Sequence, residues 1–484
     1  MNTSYTRCFC AICILVVLLS GCGTFSVEEN PLASTSPAAS TSSAALLTIV
    51  SQQTTSPVPS SFVGINLELI DLCSVLRTDA AHQKAYEQLY KNFATGTFHV
   101  GGHTADEAIW RPDAKPACLG HPIVTKTLVQ SLFAFARRIH WNVIWGLNFL
   151  IDNPQMVASE AAYVAAVGGS TLLGFSIGNE PELFVNHGER PAGWKYSNFL
   201  TQWEAYRNAV LAQVPTAKFF GPEACCQTSW FSSFLHDAGS GGSLAAATRH
   251  YYYYSGSHAR ATNLTAETLL SEQALQRFTL AAREWVAAAD KQGLPVAITE
   301  INTISNGGMR GISNTFGAAL WTSDILFQSA LLGIKQLQFQ EVPGAWYASI
   351  NPKGAPTILY YGLLFFHLAA AQTAPLPSVL NTTENISAYV LKGTDGTLRV
   401  VVINKEPHHR IEIAVNPGSS YHTVTTIRMQ AASLTATTHV TLGNTTLAAN
   451  GTWRMPPLAQ EPIQAVPTVL SIPANSAALF TFSA

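Results

Sequence analysis

Gly174-Phe-Ser-Ile-Gly-Asn179-Glu180-Pro181 reads as a short apolar strand that stops in a polar triplet. Strand alternation sends Phe175 and Ile177 to one face and Ser176 and Gly178 to the other. Pro181 ends the pairing, because proline has no N–H to give to a ladder. A carboxylate at the carboxyl end of such a strand is where barrel enzymes hold catalytic groups. It is equally an ordinary loop residue when it stands alone. Val296-Ala-Ile-Thr-Glu300 repeats the pattern: a short apolar strand ending in a carboxylate.

Outward from these two stretches, strand and helix patterns alternate. Strands are expected at Phe62–Glu68, Thr97–Gly102, Trp141–Asn148, the Glu180 segment, Ala217–Glu223, Thr248–Tyr254, the Glu300 segment and Lys335–Glu341. Helical spacing lies between them, as in Thr125–Ile139 and Pro154–Val167. Eight strands alternating with eight helices predict a (β/α)8 TIM barrel, with a doubly wound open sheet as the competing arrangement. No GxGxxG follows any strand, which weighs against a dinucleotide fold. After Pro375 the texture changes to short β-branched runs parted by turns such as Asp395-Gly396 and Asn450-Gly451. An antiparallel β-sandwich is expected there. The expected boundaries are 46–374 for the barrel and 375–484 for the sandwich. The early strand near Leu47 is placed either as a cap on the barrel or as a member of the sandwich.

The amino terminus carries Arg7, an apolar run from Ala11 to Leu19, and then Leu19-Ser20-Gly21-Cys22. The run is short for a bilayer span and has the shape of a signal-peptide core. Leu-Ser-Gly-Cys resembles a bacterial lipobox, which implies a signal at 1–22, cleavage before Cys22 and lipid on its thiol. Residues 23–45 are rich in Ser, Thr, Ala and Pro, and read as a tether. The expectation is an exported, membrane-anchored protein of the cell envelope. Four cysteines lie beyond this region. Cys73 and Cys118 suit a bridge between neighbouring loops, and Cys225-Cys226 either a vicinal disulfide or two thiols. No CxxC or HExxH is present, so no zinc site is expected.

Charged residues make up 12% of the chain, well below the roughly 25% usual for globular proteins. The net charge is -2, without a basic run. This argues against nucleic acid as a partner, which needs a positive footprint.

Glu180 and Glu300 fall on the carboxyl-terminal face, at the ends of the fourth and seventh strands. Two carboxylates across one cleft are what glycoside hydrolysis requires. Asn179 is placed to meet a sugar hydroxyl beside the reacting carbon. Asn-Glu-Pro and Thr-Glu at these strands resemble the large clan of retaining glycosidases built on barrels. Val100-Gly-Gly102 through Asp106, Ser176–Phe184, His250–Gly256 and Thr299–Gly308 continuing to Trp321 resemble glycoside hydrolase family 79, the β-glucuronidase and heparanase-like enzymes.

The resemblance implies Glu180 as acid/base, Glu300 as nucleophile and no cofactor. It implies a glucuronide substrate, read by the loop with Asn306, Gly307 and Gly308. Glycines there let backbone N–H groups approach an anion, and Tyr347 is a second donor to the same carboxylate. One tyrosine of Tyr251–Tyr254 is implied to bond the nucleophile, and Tyr252 is chosen. His250 is read as structural. Glu68 and Asp106 are either sugar ligands or ion-pair and cap residues. His103 departs from the small polar residue expected after Gly101-Gly102. Two rival functions are a clan glycosidase for neutral glycans and a non-catalytic, lipid-anchored carbohydrate-binding protein.

Overall fold

The computed structural model of the 484-residue chain describes residues 45–76, 80–115 and 122–484. The proposed signal, Cys22 and tether lie outside the described residues, as do the Cys73 side chain and Cys118.

Eight parallel strands close into a barrel in chain order. They are β1 Val63–Glu68, β2 Gly96–Gly101, β3 Trp141–Leu147, β4 Leu172–Ile177, β5 Phe219–Ala224, β6 Leu244–Tyr254, β7 Val296–Ile304 and β8 Gln336–Glu341. The TIM barrel read from the sequence is therefore the observed fold. Alternation within each strand builds two environments. Outward residues are apolar and pack on the helices: Phe98 on Tyr90, Phe219 on Trp203, and Tyr251 on Phe278 and Trp285. Many inward residues are polar and buried, including Asn66, Thr97, His99, Thr248, His250, Gln338 and Gln340, beside a small apolar layer of Ile144, Phe220, Ala246 and Ala297. Burying that many polar groups is tolerable only because they bond one another across the barrel. His99 Nε2 meets Ser176 Oγ at 2.9 Å, and Asn66 bonds Gln340.

β7 carries an irregularity between Ile298 and Ile301 in its pairing with both neighbours. A bulge turns consecutive residues to the same side. This is how Thr299 and Glu300 both reach the interior, the first bonding Glu223 and the second Tyr252 and Asn66.

Two sheets follow the barrel. One runs Ser378–Asn381, Ala45–Ile49, Ile411–Val415, Thr468–Ile472. The other is built on Thr373–Leu376, Ile386–Gly393, Leu398–Asn404, Ser476–Ser483 and Thr423–Gln430. The leading strand thus pairs within the sandwich, parallel to Ile411–Val415. Strands at 373–376 and 378–381 follow directly on the last barrel helix, Ile358–Ala370. Pro375 is accommodated because Thr373–Leu376 is an edge strand of its sheet. A buried ion pair joins barrel to sandwich: Lys405 Nζ lies 3.0 Å from Asp324, which also accepts from Tyr389 Oη at 2.6 Å. Arg399 bonds the carbonyls of Ala369 and Ala371 at 3.0 Å, capping Ile358–Ala370. No helix among the described residues is long and apolar enough to cross a membrane.

Candidate active site

Glu180 follows β4 in a left-handed conformation, φ 51°. Glu223, near the end of β5, is left-handed too, at φ 59°. Non-glycine residues there cost about 1–3 kcal/mol and persist where surroundings hold them. The two hold each other, since the Glu180 N–H donates to the Glu223 carbonyl at 2.9 Å. Thr248 Oγ1 accepts from the Glu223 N–H at 3.0 Å.

His250 lies between these glutamates, fully buried. Its Nδ1 is 3.0 Å from Glu180 Oε1 and its Nε2 is 2.7 Å from Glu223 Oε2. Glu300 Oε2 is 3.8 Å from Nδ1. Burial alone would neutralise the imidazole, but Glu300, Glu180 and Glu223 outweigh it and push its pKa well above the usual histidine range. Burial likewise opposes charge on Glu223, and the neighbouring imidazoles and Thr299 hydroxyl hold it below the usual carboxylate range. His99 is driven the other way, to the neutral form, by burial. The cluster therefore keeps a protonated His250 between carboxylates.

Glu300 is 7% exposed. Its Oε1 accepts from Tyr252 Oη at 2.7 Å and its Oε2 from Asn66 Nδ2 at 2.9 Å. Burial raises it to about 7, with Glu180 and Glu68 adding to the rise and His250 and Tyr252 restraining it. A Glu180 oxygen, a His250 nitrogen and a Glu300 oxygen all lie within 4.8 Å of one another. That spacing is also within reach of a metal ion, but the imidazole nitrogens of His250 are both already engaged by glutamates. A separate cleft of about 570 Å³, lined by Trp346, Asn351, Tyr361 and His439, does not contain this pair.

The remaining expected residues divide. Tyr252 reaches Glu300, as chosen. Tyr347 is buried with its ring 6.4 Å from that of Tyr252. Asn306, Gly307 and Gly308 are left-handed in succession, at φ 60°, 84° and 78°. A Cβ at Gly308 would press on Ser313 and Tyr347. Asn306 is exposed, and the Gly307 carbonyl accepts from Trp346 N–H at 2.8 Å. Asn179 stands beside Glu180, and its Oδ1 is buried without a hydrogen-bond partner among the described residues.

Glu68 acts as a cap. Its Oε2 accepts from the Thr104 N–H at 3.0 Å and hydroxyl at 2.6 Å, at the start of the short helix His103–Glu107. Gly102 makes this possible, because a Cβ there would overlap the Glu68 carboxylate. Asp106 is corrected as a sugar ligand. It is buried, and both oxygens are taken by backbone, from Phe149 N–H and Asn179 N–H at 2.8 Å each. Burial pushes it up to about 8. It positions the turn that carries Asn179. Asp106→Ala is expected to cost about 2–4 kcal/mol, since two buried donors lose their acceptor. Denaturant unfolding checks this, and a change under about 0.5 kcal/mol, the size of an ordinary surface substitution, contradicts it.

His250, expected to be structural, bonds both Glu180 and Glu223, and Asn66, Glu223 and Gln340 carried no assigned role. Parity held the signal: His250 shares the inward face with Tyr252, two residues on. Gln336, Gln338 and Gln340 mark an inward polar row in an otherwise apolar strand. Beyond β5, Cys225 and Cys226 form a vicinal disulfide, and both backbone N–H groups donate to Glu182 Oε1, at 2.7 and 2.8 Å.

No protein-family model matches the chain. It is 23% identical over 420 residues to a β-glucuronidase of Neurospora crassa, covering 73% of each chain. It is 23% identical over 346 residues to a β-glucuronidase of Aspergillus niger, spanning 63% of each. Among solved structures, a 4-O-α-L-rhamnosyl-β-D-glucuronidase from Fusarium oxysporum superposes with a TM-score of 0.74 at 18% identity, over 90% of this chain and 98% of that one. A family 51 arabinofuranosidase from Xanthomonas axonopodis gives 0.66 at 16%, over 91% and 100%. At these identities the structures speak to the fold: a TIM barrel with a carboxyl-terminal sheet domain. The curated relatives and the facing carboxylates together mark the chain as a glycoside hydrolase.

Proposed function

We propose that the chain is a retaining β-glucuronidase of the family 79 type, with Glu300 as nucleophile and Glu180 as acid/base. The observation that carries this is that one oxygen of Glu180 and one of Glu300 lie within 4.8 Å of each other. Retaining enzymes keep the pair about 5–5.5 Å apart, and inverting ones about 6.5–9.5 Å, to admit a water. The β-glucuronidase relatives support the sugar.

In this mechanism the pair shares one proton. Glu300 attacks as the carboxylate, and Glu180 supplies the proton to the leaving group. His250 bonds Glu180 Oε1 and leaves Oε2 to protonate the leaving oxygen. Glu300 then attacks the anomeric carbon and forms a glycosyl ester, which removes its charge. Glu180, now ionised beside His250, draws a proton from water, and the water cleaves the ester. Tyr252 and Asn66 hold Glu300 on its line of attack throughout. The uronate meets donors from the Asn306–Gly308 backbone and the Tyr347 hydroxyl, and Asn179 meets the sugar hydroxyl next to the anomeric carbon.

The test is a panel of aryl glycosides. Hydrolysis of the β-glucuronide with little turnover of the xyloside, glucoside and arabinofuranoside supports the reading. The reverse preference overturns the sugar, and no hydrolysis of any member overturns the activity.

Tyr252 donates to the ionised form of Glu300, so removing its hydroxyl disfavours that form and raises the carboxyl. Tyr252→Phe should therefore move the acidic limb of kcat/KM to higher pH. A hydrogen bond to a charged group is worth about 1.5–3 kcal/mol, which corresponds to about one pH unit or more. An unmoved limb contradicts the assignment. The proposed lipid anchor and envelope location rest on the sequence of residues 7–45. Partition of the full chain into a detergent phase is their check, and a wholly aqueous distribution counts against them.

A further inference from the structure

The rim of the barrel holds a cluster that catalysis does not use. His103 begins the short helix after β2. His187 ends the helix Phe184–His187 after β4, and Glu189 lies two residues beyond. His103 Nε2 is 3.4 Å from Glu189 Oε1 and 3.7 Å from Glu107 Oε1. His187 Nδ1 is 3.7 Å from Glu189 Oε2. One ligand atom from each of His103, His187 and Glu189 lies within 4.8 Å of the other two. The imidazoles meet edge to face, with centroids 5.7 Å apart.

These separations are long for hydrogen bonds. They leave room for one ion: bonds of about 2.0–2.1 Å in a tetrahedron set ligand atoms about 3.3 Å apart, which the three side chains reach by closing in slightly from the 4.8 Å within which one atom of each already lies. The Glu189 side chain is only 14% exposed, and its Oε2 is buried with no hydrogen-bond partner among the described residues. Such a group is costly unless a cation or donor meets it. The histidines are more than two-fifths exposed, which leaves an entry path. The ligands also sit on firm supports. Glu189 N–H bonds the Phe184 carbonyl at 2.8 Å, and Thr104, next to His103, is held by Glu68.

We propose that His103, His187 and Glu189, with water as the fourth ligand, bind one divalent transition-metal ion, zinc by ligand type. The ion clasps the loop after β2 to the loop after β4, beside the turn that carries Glu180. This gives a reason for His103, whose presence after Gly101-Gly102 was unexplained. No spaced motif marks the site, because its ligands come from two loops.

The test is calorimetry of zinc with the tag-free, chelator-treated full chain. One saturable site is expected, with binding weakened at least about tenfold in both His187→Ala and Glu189→Gln. Far-UV circular dichroism confirms that each variant is folded. Cobalt should give the visible absorption of a tetrahedral site in the parent protein and lose it in both variants. Glu300→Gln serves as a control for the catalytic cluster and should bind zinc undiminished. Absence of saturable zinc binding overturns the proposal. So does undiminished binding in the folded rim variants, or loss of binding in Glu300→Gln with retention at the rim variants.

Discussion

Glu300→Gln lowers kcat/KM for an aryl β-glucuronide by at least about 10⁴-fold, the scale on which covalent nucleophiles are lost. The amide keeps the shape of the carboxylate, so Tyr252 retains an acceptor. It cannot form the glycosyl ester, because an amide oxygen is a poor nucleophile and carries no charge. Stability should fall by about 1–3 kcal/mol at most, since the amide NH2 leaves Asn66 Nδ2 without one acceptor. Burial already pushes this carboxyl up to about 7, so part of its charge is disfavoured in the folded protein. The substitution relieves that penalty while depriving His250 of one of three carboxylate neighbours. Unfolding and steady-state rates on the same preparation separate the two effects. Activity within tenfold of the parent in a folded variant would remove Glu300 from its role.

Glu180→Ala has a different signature, and the difference is diagnostic. A proton donor matters most when the leaving group is poor. Substrates with basic leaving groups should lose about 10²–10⁴-fold, the usual worth of general acid catalysis. Activated aryl glucuronides should still form the glycosyl ester and stall there, so that kcat and KM fall together. Azide, which needs no general base, should then restore turnover and yield a β-glucuronyl azide. Equal losses across leaving groups, with no rescue by azide, would place the proton elsewhere. His250 is the first alternative, because it lies 3.0 Å from Glu180 Oε1 and is held protonated.

Much of this was legible in the chain, and the failures have physical causes. The barrel follows from apolar strand patterns alternating with helical ones, each a local signal. The catalytic pair follows from carboxylates at strand ends, yet that rule alone does not discriminate. Glu341 also ends a strand, and it is spent on Ser349 and Ile350 N–H groups at 2.8 and 3.0 Å. Asp106 was open as a sugar ligand in sequence, but burial and two backbone donors make it a brace. Glu223 is invisible as a partner until β5 and β6 are set side by side, because its contacts with His250 and Thr299 join residues far apart in the chain. The bulge in β7 was illegible for a related reason. It is fixed by pairing with both neighbours, and it is what lets Thr299 and Glu300 face the same interior.

The central claim is that Glu300 forms a covalent bond with the sugar. Incubation with 2-deoxy-2-fluoro-β-glucuronyl fluoride, followed by digestion and peptide mass analysis, tests it directly. The 2-fluorine slows both formation and breakdown of the ester, and the good fluoride leaving group restores formation alone, so the ester accumulates. One label per chain is predicted, on the peptide that contains Glu300, with loss of activity in proportion to labelling. A label on another residue, or no label together with first release of the α-anomer from a β-glucuronide, would contradict it.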